Sequence, residues 1–254
     1  MIKIRWQHGV AIAIFIIAAI LVVDYLFGVT SQKVLVYNVI DGDTFEDNAG
    51  NKYRLVGINT PEKGELCYEE AKNFLTSLIW GKEVSVIIYG KEKYGRALAE
   101  VYYNGKNVNH AMLANGFANV YYGREEGINW KRYFEAESMG RDIPGCMWKA
   151  SLYKECIFGK WDNGGFTIEN LCDINVDTEI TIRDTSASHR FKRNLRLAPK
   201  EIVRIEENCC DEKENAGKIC LCQHIFNTGG DELIIYDKDG LLVFVPYGVY
   251  LEES

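Results

Sequence analysis

Asp41-Gly42-Asp43-Thr44 and Asn59-Thr60-Pro61-Glu62 form two short clusters rich in oxygen ligands, with Arg54 between them and Arg96 well downstream. Carboxylates that converge on one spot can hold a hard cation such as Ca²⁺, which takes oxygen ligands. Guanidinium groups converging there supply planar forks that match a phosphate. Glu62 adds a carboxylate able to orient water or take its proton. Together these residue types suit phosphodiester cleavage. Singly each is ordinary: Asp-Gly-Asp is a common solvated turn, and a lone Arg after a glycine is usually a surface charge.

The chain must fold so that strands carry these pieces to one place. Lys33 to Ile40 alternates and is β-rich, Asp47 to Asn51 is a turn, and Lys52 to Ile58 returns as a second strand. This strand puts Arg54 at its start and Glu62 just past its end, where Pro61 fixes the backbone. Ala71, Phe74, Leu75, Leu78 and Ile79 repeat with helical period, so Glu69 to Ile79 is predicted as a helix stopped by Gly81. Val84–Tyr89 and Arg96–Tyr103 read as further strands, Asn109–Asn115 and Trp130–Met139 as helices, and Phe117–Tyr122 as extended. Short strands with helices inserted between them, and no βαβ rhythm, predict a small OB-type barrel (α+β).

The net charge of −7 over 254 residues excludes a generic basic protein that coats nucleic acid. Between Ser31 and Ala150 there are 15 basic against 16 acidic side chains. Affinity for DNA or RNA must therefore come from a local groove and a metal. Lys3 and Arg5 precede an apolar run that reaches Val29, about 20 residues, enough for a transmembrane helix. Charge asymmetry predicts the amino terminus inside and the rest of the chain extracytoplasmic, a single-pass protein of the cell membrane. A cleaved signal peptide is the rival, disfavoured by the poor small-residue cleavage pattern. Eight cysteines fit disulfides in an oxidising space. Cys220, Cys222 and His224, with Cys209-Cys210 upstream, could alternatively be read as a zinc site, although vicinal cysteines are awkward tetrahedral ligands.

Taken in order, Asp41 to Thr44, Tyr53 to Glu62 and Lys93-Tyr94-Gly95-Arg96-Ala97-Leu98-Ala99 resemble the staphylococcal (thermonuclease-like) nuclease family. The similarity covers roughly residues 33–148 and extends to Asn107-Val108-Asn109, Gly116-Phe117-Ala118, Ala136-Glu137, Arg141 and Gly145-Cys146-Met147-Trp148. The resemblance implies an OB-fold endonuclease that uses Ca²⁺, acts on DNA and RNA and leaves 3′-phosphates. It implies Asp43 as principal metal ligand, Asp41 beside it, Asn59 at a further ligand position and Thr60 as a ligand through its backbone carbonyl. Glu62 corresponds to the residue that activates water, Arg54 and Arg96 to the phosphate-binding arginines. Lys93, Tyr94 and Tyr122 correspond to residues lining the nucleotide pocket. Two departures stand out: Asn59 occupies a position where the type member has an aspartate, and Arg124 replaces a second pocket-side tyrosine. With one less negative charge, weaker metal binding is expected.

Beyond residue 165 the chain reads as strands and turns without a helix. Ile180 to Thr185, Leu197 to Glu201, Phe226 to Leu233 and Tyr236 to Gly240 are similar to the lamin-tail domain over roughly residues 165–252. That resemblance implies an immunoglobulin-like all-β sandwich serving as a binding or tethering accessory, with a possible cell-surface partner. The expected organisation is a membrane anchor helix (1–30), a thermonuclease-like OB domain (31–150), a linker (151–164) and the sandwich (165–254). The basic run His189 to Arg196 reads as a nucleic-acid contact or, more simply, a solvated edge hairpin. A different class of reading, a non-catalytic nucleic-acid or cell-surface binding protein that keeps the barrel, requires a decayed site. Both arginines and Glu62 are present, which argues against it.

Overall fold

The computed structural model describes residues 31–123, 125–162, 165–186, 190–209, 217–227 and 230–248. The expected anchor helix (1–30) and Arg124 lie outside them. Among the described residues no helix is long and apolar enough to cross a membrane.

The first half is a closed barrel. β1 (Ser31–Val39), β2 (Thr44–Asp47) and β3 (Lys52–Leu55) form an antiparallel meander, and β5 (Glu83–Lys91) and β6 (Ala97–Tyr103) continue on the other edge of β1. A parallel pairing of β3 with β6 (Tyr53↔Ala97, Arg54↔Leu98, Leu55↔Ala99) closes these five strands into an OB-like barrel. Closure removes the unpaired edges that a small open sheet would expose. Inward-facing Val36, Phe45, Leu55, Val84, Val86, Ala99 and Val101 are buried in one core. The short strand β7 (Lys106–Asn107) extends the β6 edge, while β4 (Ile58–Asn59) pairs separately with β8 (Asn119–Val120).

Helix α1 (Tyr68–Ile79) buries Ala71, Leu75 and Ile79 against this core, as its periodicity predicted. It ends at Trp80, whose N–H bonds to the Thr76 carbonyl, and Gly81 then takes a φ of +70° that only glycine adopts without cost. Helix α2 (Val108–Ala114) starts at Asn107, whose side chain accepts from the His110 N–H as an N-cap. Asn109 is fully buried and serves three backbone groups: it accepts from Val101 N and donates to the carbonyls of Val56 and Ala99. It thereby plugs the seam where β3 and β6 meet. Helix α3 (Trp130–Arg141) carries Glu137, whose buried carboxylate accepts the Val120 N–H at 2.7 Å and pairs with Arg141.

The second half is built from two four-stranded sheets over a common apolar core. One holds β9 (Ile157–Asp162), β10 (Gly165–Asn170), β13 (Ile202–Glu207) and β14 (Lys218–Leu221). The other holds β11 (Val176–Arg183), β12 (Arg190–Leu197), β15 (Gly230–Asp237) and β16 (Leu241–Gly248). Residues 157–162 were expected to belong to a linker. They are instead an edge strand, paired with β10 along their whole length. The glycines around it look like punctuation in sequence, but Gly159 is there because a Cβ would meet Val243 Cγ1 at 2.3 Å.

Among the described residues the cysteines form disulfides. Cys67–Cys146, Cys156–Cys172 and Cys209–Cys220 are bonded, and Cys222 is disulfide-bonded too. His224 Nδ1 bonds to Glu207. The zinc alternative therefore has no thiolates to offer at Cys220 or Cys222. Cys67–Cys146 ties the start of α1 to the 3-10 turn Cys146–Trp148.

Candidate active site

Register explains how distant residues meet. Thr44 on β2 stands opposite Arg54 on β3, and the parallel pairing brings the start of β6, with Arg96 just before it, beside β3. Leu55 N–H bonds to the Asp43 carbonyl, fixing the Asp41–Thr44 turn over the same rim. Gly42 is the contact point with the second cluster. A Cβ there would lie 2.7 Å from Thr60 Oγ1 and 3.0 Å from Ala71 Cβ, so glycine alone lets the two loops touch.

At the centre is an ion pair between Arg54 Nη1 and Asp43 Oδ2, with the side chains only 11% and 4% exposed. Arg54 Nη2 also donates to the Ile58 carbonyl and to Asn59 Oδ1 at 3.2 Å. Asp43 Oδ1 accepts from Thr44 Oγ1, and Asp41 Oδ1 accepts the Asp43 N–H. Arg96 pairs with Glu92 through Nε and donates from Nη1 to Thr44 Oγ1 at 3.1 Å. Both guanidiniums thus sit on one polar strip around Asp43 and Thr44.

The charges act on one another. Burial, followed by the like charge of Asp43, pushes the Asp41 carboxyl up to about 6. Burial would lower the Arg54 pKa, but the charge and hydrogen bond of Asp43 outweigh it and hold the group above its usual value. Glu62 lies at the exposed mouth. Desolvation raises its pKa, the charge of Arg190 opposes this, and Asp43 and Arg54 also act on it. Glu62 therefore shares one electrostatic neighbourhood with the buried pair.

The donor types at Asp41, Asp43 and Thr60, all oxygens, are those a hard divalent cation takes. Burial and the charge of Asp43 raise the Asp41 carboxyl, and the Thr60 backbone carbonyl is a further hard neutral donor in the loop that touches Gly42. Asn59 behaves differently from the ligand expected of it. Its Oδ1 accepts from Arg54, while its Nδ2 is buried without a partner. Among the described residues no group of three or more His, Cys, Asp or Glu side chains gathers as an ion cage.

The pocket-lining residues divide. Tyr94 is 70% exposed beside Arg96, and Lys93 Nζ lies 4.9 Å from its ring centroid. A cavity of about 470 Å³ adjoins them, lined by Asn51, Lys52, Lys91, Tyr94 and Arg96 among others. Tyr122 instead leans on α3, its ring 4.8 Å from Trp130. Sequence reasoning passed over Glu65, whose carboxylate accepts the Glu62 N–H at 2.7 Å, and read Arg190, which pairs with Glu65, only as part of a basic run. A carboxylate three residues after Glu62 was a visible signal; its arginine partner 125 residues away was not.

The first half is thus a closed OB-like barrel whose rim joins carboxylates to two guanidiniums. Residues 52–150 match the family described as staphylococcal nuclease homologue. An uncharacterized endonuclease of Haemophilus influenzae is 37% identical over 90 residues, covering 34% of this chain and 51% of that protein. One of Escherichia coli O157:H7 is 40% identical over 90 residues, 34% of this chain and 59% of its own. A probable staphylococcal-like nuclease of Oryza sativa subsp. japonica is 30% identical over 136 residues, 50% of this chain and 39% of its own. The chain spans between two fifths and three fifths of the length of these relatives.

Proposed function

We propose that this protein is a membrane-anchored, extracytoplasmic, Ca²⁺-dependent endonuclease that hydrolyses DNA and RNA to 3′-phosphates. The observation that carries the reading is the convergence of Arg54, Arg96 and the Asp41–Asp43 turn on one barrel rim, with Glu62 in the same field. The nuclease match over residues 52–150 supports it. Disulfides in both halves of the chain support an oxidising compartment. The anchor rests on the apolar run near the amino terminus, and a lamin-tail-like role for the sandwich rests on its sequence resemblance.

Asp41, Asp43 and the Thr60 carbonyl are the residues that would hold Ca²⁺, which supplies Lewis-acid polarisation of a phosphate oxygen. Glu62 accepts a proton from the attacking water. As the new P–O bond forms, the bond from phosphorus to the 5′ oxygen breaks; that oxygen leaves as a 5′ hydroxyl with a proton from solvent, and the phosphate stays on the 3′ side. Each guanidinium carries five N–H donors, and Arg54 uses three contacts to hold Asp43, Ile58 and Asn59. Donors are left to stabilise charge developing on the phosphoryl oxygens. Tyr94, with Lys93, offers a ring and a cation to the nucleotide beside Arg96.

The test is cleavage of plasmid and single-stranded DNA, and of RNA, by the purified protein in Ca²⁺ or EGTA. Cutting should require Ca²⁺ and vanish in Glu62→Gln. Cutting that ignores both changes refutes the mechanism.

A further inference from the structure

The sandwich is seated firmly on the barrel. Cys67, Met147 and Trp148 from the first half share a buried cluster with Ile234 and Leu241 from the second. Trp148 meets Phe244 edge to face at 5.3 Å, and Arg141 lies over the same ring. The chain at Gly240 packs so close to Lys149 that a Cβ would fall 2.1 Å from its carbonyl oxygen. These contacts bury apolar surface between the two halves.

Two arginines reach from one rung of the sandwich toward the site. Arg183 on β11 and Arg190 on β12 are cross-strand partners. Arg183 is 1% exposed, and its Nη2 donates to Asn119 Oδ1 at 2.9 Å. Asn119 pairs across β4–β8 with Asn59, the residue bonded to Arg54. Arg190 grips Glu65 with two nitrogens on two oxygens, a bidentate fork. Glu65 Oε2 accepts the Glu62 N–H at 2.7 Å, and the Glu65 N–H returns to the Glu62 carbonyl at 2.9 Å. The segment from Asn59 to Glu65 is thus pinned near both ends by one rung of the second domain.

We infer that the sandwich completes the active site, with Arg190 as a positioning residue that holds Glu65 and, through it, the backbone of Glu62. This rests on the nuclease reading above. A carboxylate on an exposed loop would otherwise sample many positions, and misplacement by about 1 Å can cost roughly 100-fold in rate. The β-rich half is therefore part of the catalytic apparatus as well as any tether it provides.

The experiment measures kcat and KM on a single-stranded DNA substrate for the full chain and for Arg190→Ala, Arg190→Lys, Glu65→Gln and the Arg190→Ala/Glu65→Gln double variant. Arg190→Ala and Glu65→Gln should each lower kcat by about 10- to 100-fold with KM within about threefold. The double variant should be no slower than the worse single, because both break one relay. Arg190→Lys should recover part of the rate, keeping the charge without the fork. Asp177→Asn, on the exposed face of β11, should match wild type. Thermal melting identifies any variant that fails to fold, in which case Arg190→Lys and Glu65→Gln decide. Unchanged kcat in Arg190→Ala, a pure KM effect, or additive losses in the double variant overturn the inference while leaving the nuclease reading intact. A wild-type protein with no activity overturns both.

Discussion

Replacing Arg54 with Met should expose how much of the rim depends on one guanidinium. The Arg54 and Asp43 side chains are 11% and 4% exposed, so the pair is shielded from water. Removing one member of such a pair leaves a buried charge uncompensated, at a cost of about 3–5 kcal/mol. At roughly 2–4 °C per kcal/mol for a chain of this size, Tm should fall by about 6–20 °C in EGTA at pH 8. The penalty should shrink on acidification. Asp41 already titrates at about 6 through burial and the charge of Asp43, and without Arg54 protons bind the folded rim more readily still. A folded-state pKa above the unfolded one favours folding at low pH and loses that advantage as pH rises through it. The deficit against wild type is therefore largest at pH 8 and smaller at pH 5. Ca²⁺ should raise the Tm of the variant more than that of wild type, since it restores positive charge to the folded state alone. Activity measured well below the melting temperature should drop by about 100-fold or more. Differential scanning fluorimetry across pH and Ca²⁺ makes the check. A Tm within 2 °C of wild type in EGTA, at all pH values, would refute the reasoning.

Three further outcomes follow from the same structure. Gly42→Ala should separate the two acidic loops, because the added Cβ meets Thr60 and Ala71; turnover should fall by about 100-fold while far-UV circular dichroism is kept. His110 is held below its usual pKa mainly by burial, and its ring stands edge-on to Tyr133. A depressed folded-state pKa means the unfolded chain takes the proton first, so the contribution of His110 to stability should decline as pH drops below about 6.5, and the difference between wild type and His110→Phe in urea titrations should follow that decline. Cutting the Cys67–Cys146 crosslink, which spans 79 residues, with a Cys67→Ala/Cys146→Ala variant should cost about 4 kcal/mol, read from denaturant midpoints.

Periodicity and local chemistry carried much of this fold into view. The repeat from Ala71 to Ile79 marked α1 because its apolar face has no other way to leave water, and Gly81 marked its end. The alternation in Val34 to Ile40 and Val84 to Tyr89 located strands for a related reason. The acidic turns, both arginines and Glu62 were identifiable because phosphodiester chemistry draws on few residue types. The contact of the Asn59 amide oxygen with Arg54 across a turn was not legible, since nothing local encodes it. β9 was missed because its value lies in pairing with β10 and in the close approach of Gly159 to Val243, both properties of neighbours.

By itself the sequence determined which residue types are on hand for chemistry, where its helices start and stop, and that its second half is β-structure. Those properties depend on side-chain identity and on spacing within a few residues. Only the tertiary structure decided that β3 would close on β6 in parallel and so set Arg54 beside Arg96. It alone placed Arg190 on Glu65, 125 residues away. Long-range pairings are chosen by the burial of whole surfaces, here two barrel edges and the apolar faces of two domains, and no short window of residues encodes that sum.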